Sequence, residues 1–249
     1  MEEKKQIKKK KRRKKRYALR LLIFIILLTG LYYFMTSSWF DISAIETKGN
    51  EYYDGETVIK MSTLKQGTNI FRLERSRVEG LLLKDPYIKE AKIKRKLPHT
   101  AVIHIVERTE DAAFPYGEAY ILISLDKMVL RRVDEEPKVP ILMGMTLEQM
   151  TPGTELSVAE TTVLDNTMIL LDAMREEDLY FKKIDISKVV VRAYIYDRLI
   201  CEGKPENILK AVKNGNLQLV LKDLVDRGID KGTIHLGSSE YCAFSPEIE

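Results

Sequence analysis

Few residues in this chain have the type and spacing that chemistry requires. Its three histidines are His99 in a turn, His104 inside an alternating strand and His235 near the C-terminus. None has a partner at ligand spacing, so no zinc site or nucleophile–base–acid triad is spelled out. Ser62-Thr63-Leu64-Lys65 has the S-x-x-K spacing with which a lysine can activate a serine for acyl transfer. The accompanying S-D-N is missing, and Lys231-Gly232-Thr233 carries the letters of K-T-G out of order. A serine at a helix end is the plainer reading. Cys201 and Cys242 are compatible with a disulfide outside a reducing compartment. Both also sit in strand-like runs where a buried free thiol is common. The acidic clusters Glu135-Glu136 and Glu176-Glu177-Asp178 read as solvated faces. There is no G-x-S-x-G, no phosphate-binding loop and no dinucleotide fingerprint. These residues point away from catalysis, cofactors and metals, and toward interaction.

The elements around them begin with an apolar run, Tyr17 to Thr36, long enough to cross the ~30 Å hydrocarbon core of a bilayer as a helix. Its one charge, Arg20, lies a turn from the entry, where its stem can reach back to the headgroups. The first twenty residues hold twelve Lys/Arg and two Asp/Glu, a net charge of +10. A block that basic stays on the cytoplasmic side, which predicts a single-pass protein with its N-terminus inside and everything after Thr36 outside. Tyr32, Tyr33, Phe34, Trp39 and Phe40 suit the outer interface. A cleaved signal peptide would have a shorter apolar region and a small-residue cleavage site, and neither is present. The tail could serve nucleic acid, but attraction to anionic membrane lipid accounts for it without such a partner. Without the first twenty residues the chain has 29 basic and 35 acidic residues, a net of −6. A mildly acidic external part is not built for polyanions.

The spacing predicts an α+β fold. A unit of order β-α-α-β-β spans 40–110. Its parts are a strand at Asp41–Thr47, a helix capped by Asp54 with Val58, Ile59, Met61 and Leu64 on one face, and a helix over Arg72–Lys84. Strands at Ile88–Lys96 and Ala101–Glu107 complete it. A mixed β region with two helices fills 111–245. It has a hairpin turning at Asp126-Lys127, helical spacing over Leu156–Met174 and a strand pair around Asp197. A long amphipathic helix then runs from Pro205 to a stop at Gly228. The tail is 1–16, the span 17–36, and 246–249 is a short C-terminal extension. The last strand region, Gly232 to Phe244, is interrupted at Gly237-Ser238-Ser239, which suggests a bulge or turn. It is the candidate edge for a partner strand, with Tyr241 and Phe244 as anchors. The same two aromatics could simply pack the domain core.

The external unit resembles the POTRA domain of the FtsQ/DivIB cell-division proteins. The resemblance lies in Ile45-Glu46-Thr47-Lys48-Gly49-Asn50, in Asn69-Ile70-Phe71-Arg72 and in Asp85-Pro86-Tyr87-Ile88. It continues through Ala91 to Leu97-Pro98 with Thr100, and ends on Val106-Glu107-Arg108. Tyr120 to Leu130 resembles the first hairpin of that family's β domain, and Gly232 to Pro246 its closing strand. The departures are Thr109-Glu110-Asp111 where a proline is usual, a hairpin turn without glycine, and a weak match over Glu148–Asp185. The resemblance implies a non-enzymatic divisome component at the septum. Its partners would be the FtsL-type and FtsB/DivIC-type coiled-coil proteins, and it would help control the septal peptidoglycan synthase. It also implies a partner surface at Thr233, Ile234, Tyr241, Ala243 and Phe244. A different single-pass POTRA anchor or signalling protein, without septal placement, is the alternative. A membrane-tethered wall enzyme is a third and would need Ser62 or a cysteine as nucleophile.

Overall fold

The computed structural model describes residues 2–187, 190–237 and 242–247, with side chains from Tyr17 onward. The chain divides into two compact units, Met1–Leu83 with Glu90–Glu107, and Lys84–Lys89 with Arg108–Glu249.

The first unit opens with helix α1, Glu2–Met35. Within it Tyr17–Met35 has a mean hydropathy of 2.1 and buries none of its side chains against the protein, as a lipid-facing helix requires. Strand β1 (Ala44–Lys48), helices α2 (Gly55–Ser62) and α3 (Arg75–Leu82), and strands β2 (Ile88–Lys96) and β3 (Thr100–Glu107) follow. They realise the expected β-α-α-β-β order in a sheet of order β1-β3-β2. β1 lies parallel to β3, from Ala44↔Thr100 to Lys48↔His104. The helices bury Val58, Val78 and Leu82 with Ile93, Ala101 and Ile103 of the sheet. Asp54 caps α2 by accepting from the Thr57 N–H at 2.7 Å. α3 starts at Arg75 rather than Arg72. The Asn69 side chain takes the Phe71 N–H at 3.0 Å and ties 70–72 into a separate short turn.

The second unit contains β4 (Ala112–Tyr116), β5 (Ala119–Ile123), β6 (Val129–Val133), β7 (Ile141–Met143), β8 (Leu147–Gln149), β9 (Ser157–Val158) and helix α4 (Thr161–Glu176). Then come β10 (Lys183–Asp185), β11 (Val191–Tyr194), β12 (Leu199–Gly203), helices α5 (Pro205–Lys213) and α6 (Asn216–Asp226), β13 (Gly232–Leu236) and β14 (Cys242–Pro246). Nine strands form one mixed sheet, β14-β13-β12-β11-β10-β7-β4-β5-β6, while β8 and β9 pair apart. Leu142, Ile184, Ala193, Cys201 and Ile234 form a row across neighbouring strands. That row shares one buried core with Leu170, Leu171, Ile208, Val212, Leu217 and Leu221 of the helices.

Three expectations change here. Leu156–Val158 is extended, because Leu156 N–H bonds the Lys127 carbonyl and β9 pairs with β8, so the helix starts only at Thr161. The long helix from Pro205 is two helices. Gly215 adopts φ 71°, a left-handed conformation that ends one helix while the apolar spacing carries on into the next. β4 escapes the pattern because Ala-Ala-Phe-Pro-Tyr does not alternate and contains a proline, which sits beyond the single β4–β7 pairing at Ala113.

Candidate partner-binding edge

The long sheet ends in β14 on one side and β6 on the other. An edge strand exposes unpaired N–H and C=O groups to any incoming strand unless charge, proline or a covering loop blunts it. β6 is blunted twice. It carries the exposed Arg131 and Arg132, and Val129 is bonded on both sides to the 153–154 loop. β14 reads Cys-Ala-Phe-Ser-Pro, with no charge along it and proline only at its end. In the first unit β2 is also an edge, and four lysines and an arginine stand along it. β1, the other edge of that sheet, carries Glu46 and Lys48, so among these edges and the described residues β14 is the one without charge.

The closing region, where the sequence suggests a bulge or a turn, holds two antiparallel strands, with Thr233↔Ser245, Ile234↔Phe244, His235↔Ala243 and Leu236↔Cys242 opposed. The pleat therefore separates the four predicted site residues that are described, Thr233, Ile234, Ala243 and Phe244. Thr233 and Ala243 lie on the face away from the helices, Thr233 half-buried and Ala243 exposed. Ile234 is fully buried in the core. Phe244 shares the face of Ile234 and packs half-buried against that core, so it is not a free anchor. Tyr241 lies outside the described residues. A Cβ at Gly232 would meet the Phe244 ring at 2.6 Å, so only glycine lets this ring lie flat across β13.

Residues missed by the sequence reading hold the edge in place. Arg198, just before β12, bonds Glu247 through Nε at 3.0 Å and through Nη2 at 2.9 Å, pinning the far end of β14. That hydrogen bond holds the Glu247 carboxyl below its ordinary value. Asn207 of α5 donates to the Leu236 carbonyl at 3.2 Å and secures the end of β13. These pairs are 49 and 29 residues apart in sequence, and no local pattern announces them. On the open face, Arg192 meets Glu202 at 3.3 Å and His235 lies 3.8 Å from Glu202, a charge ladder that leads to Ala243 at the edge.

The candidate nucleophiles are engaged otherwise. The Ser62 hydroxyl is buried, donates to the Ile59 carbonyl at 2.6 Å and accepts from the Leu64 N–H at 3.2 Å, finishing α2. Both cysteines are free thiols. Burial, with Cys242 nearby, pushes the Cys201 thiol far up, and burial also raises Cys242, so neither is poised as a thiolate.

A helix long and apolar enough to cross a membrane, followed by a β-α-α-β-β domain and a mixed sheet, is the architecture of a POTRA protein with one candidate membrane helix. The comparisons agree: residues 40–108 match the FtsQ-type POTRA domain. The cell division protein DivIB of Clostridium acetobutylicum is 26% identical over 192 residues, which cover 76% of this chain and 77% of that protein. DivIB of Clostridium botulinum (strain Hall) is 27% identical over 203 residues, 76% of this chain and 78% of that protein. The cell division protein FtsQ of Syntrophotalea carbinolica is 26% identical over 140 residues, 55% of this chain and 48% of that protein. The FtsQ-type POTRA match and these similar proteins together support the FtsQ/DivIB family for this chain. These relatives are named for cell division rather than for a catalytic activity, which supports a role in the division machinery.

Proposed function

We propose that this chain is a non-enzymatic scaffold of the divisome, held in the membrane by α1 with its basic tail in the cytoplasm and both folded units outside. It binds the FtsL-type and FtsB/DivIC-type proteins and through them helps control septal peptidoglycan synthesis. The observation that carries this reading is the uncharged edge strand β14. A partner strand added there gains backbone hydrogen bonds, and the side chains of alternate residues set its specificity. Thr233 and Ala243 would then contact the partner directly. Ile234 and Phe244 would act from beneath by keeping the edge flat, and Tyr241 would add an aromatic contact.

Co-purification with the FtsL-type and FtsB/DivIC-type proteins of the same cell tests the reading. Ala243→Lys places a charge on the open edge and should weaken the complex severalfold with an unchanged melting temperature. Tyr241→Glu should do the same. Full recovery of both partners by both variants would sink strand addition at β14.

A further inference from the structure

The membrane helix runs into the POTRA domain with no free spacer. Thr36 and Ser37 turn their hydroxyls back to the Tyr32 carbonyl at 2.9 Å and the Phe34 carbonyl at 2.7 Å, satisfying helix-end acceptors. Asn69, 34 residues further on, supplies the next donor. Its Nδ2 donates to the Met35 carbonyl at 3.0 Å and the Ser37 carbonyl at 3.4 Å. Phe34, Phe40 and Phe71 stack edge-on in file, with ring centres 5.2 and 5.1 Å apart. Ile42 is bonded on both sides, its N–H to the Thr68 carbonyl and its carbonyl to the Gly67 N–H, each at 2.9 Å.

Because the junction is fixed, so is the end of the domain beside it. β1 and β3 both start there, at Ala44 and Thr100. The turn before β3 is bonded to the exit segment, Ser43 N–H to the His99 carbonyl and Ser43 Oγ to His99 Nδ1, both at 2.9 Å. Three segments, 38–43, 65–72 and 97–99, therefore share the end at which α1 leaves. They present Trp39, 68% exposed, and Leu97, 57% exposed, together with the exposed Lys65 and Arg72. Lys96 is also exposed and is paired with Glu46 at 3.1 Å. Apolar side chains set among cations at the end of a membrane helix have the composition of a headgroup-facing surface.

We infer that this end of the POTRA domain rests on the phospholipid headgroups of the bilayer that α1 crosses. Trp39 and Leu97 enter the interface, and Lys65 and Arg72 meet phosphate. The inference depends on α1 being a span.

Trp39 is the only tryptophan in the chain, so its fluorescence reports one place. The full chain would be reconstituted in vesicles of phosphatidylglycerol and phosphatidylcholine carrying a headgroup-attached nitroxide quencher. Two further chains, each with Trp39→Phe, would move the tryptophan by Leu97→Trp or by Tyr52→Trp. Tyr52 is exposed and lies in the loop bonded to Glu107, at the opposite end of β3. Flotation after alkaline carbonate washing tests the span itself, and release of the chain would overturn that reading. With the chain retained, the tryptophans at 39 and 97 should be quenched severalfold more than the one at 52. Adding Lys65→Glu and Arg72→Glu should reduce quenching at 97. Equal quenching at 97 and 52 in a retained chain would overturn the inference and leave this surface to a protein partner. Insensitivity to the charge reversals would overturn the phosphate contacts.

Discussion

The guanidinium of Arg108, with its side chain only 12% exposed, donates through Nε to Asp126 at 2.9 Å. Through Nη1 it donates to the carbonyls of Pro86 at 2.9 Å and Ile88 at 3.0 Å. Its neighbour Glu107 accepts from the N–H groups of Glu51 and Tyr52 at 2.6 Å each and from Tyr53 at 3.2 Å. The Glu-Arg pair that closes the POTRA motif thus anchors two stretches of backbone, one per residue. Arg108→Met would take the guanidinium from two carbonyls and leave the Asp126 carboxylate with only the Ser124 hydroxyl of these two donors, and should cost about 2–4 kcal/mol by urea unfolding. The effect depends on pH. Burial works to raise Asp126, but the Ser124 hydroxyl and Arg108 outweigh it and hold the carboxyl below its ordinary value. A depressed folded pKa contributes stability above the unfolded value that is lost as pH falls through the folded one. The penalty of Arg108→Met should therefore shrink in acid. Asp111 has the opposite sign. Burial raises it against the Thr109 hydroxyl, the Leu125 N–H and Arg175, so its contribution improves as pH falls through its folded pKa. The unaltered chain should therefore gain on Asp111→Asn as pH falls, and the two urea midpoints should draw together in acid, where the protonated carboxyl resembles the neutral amide.

Among the elements, two glycines distinguish strain from collision. Gly215 joins α5 to α6 at φ 71°, and nothing lies within 4 Å of the place a Cβ would take, so Gly215→Ala should cost only the left-handed penalty of about 1–2 kcal/mol. Gly232 is different, because the Phe244 ring and the Ser245 carbonyl, at 2.7 Å, both occupy the place of a Cβ. Gly232→Ala should lift β14 from β13. It should cost more stability than Gly215→Ala and, unlike it, weaken recovery of the division partners. Thermal melts paired with co-purification separate the two outcomes. Equal melting temperatures for the two variants would show that Phe244 is free to move aside.

At the scale of the molecule, a fluorescent protein fused to the basic N-terminus of the whole chain would report its placement in dividing cells. The expected result is a mid-cell band that depends on residues 40–249. A uniform membrane signal through the cell cycle would keep the POTRA fold and favour a single-pass anchor without a septal role. Both units contribute to that expectation by different physics. The first is tied to the membrane helix through Asn69 and three phenylalanines. The second ends, among the described residues, in the uncharged edge strand β14.

Much of this organisation is local and therefore legible in the chain. The span follows from a continuous apolar run, the cap of α2 from Asp54, and the strands of the POTRA unit from alternation and turn residues, all interactions between near neighbours. The apolar spacing after Pro205, at Ile208, Val212, Leu217, Val220, Leu221 and Leu224, also marks the inward face: five of these are buried and Val220 is half-buried against the core. It missed the break because a left-handed glycine does not disturb that spacing. What only the tertiary structure decided is relational. Whether Phe244 faces core or solvent depends on the register against Ile234, which a shift of one residue would reverse. Whether β14 is an edge depends on the order of nine strands, and the use of Asn69 as a cap for a helix 34 residues away depends on chain closure. Local sequence can encode periodicity and caps. Strand order, facing and long-range donors arise only when distant segments compete to bury the same surface.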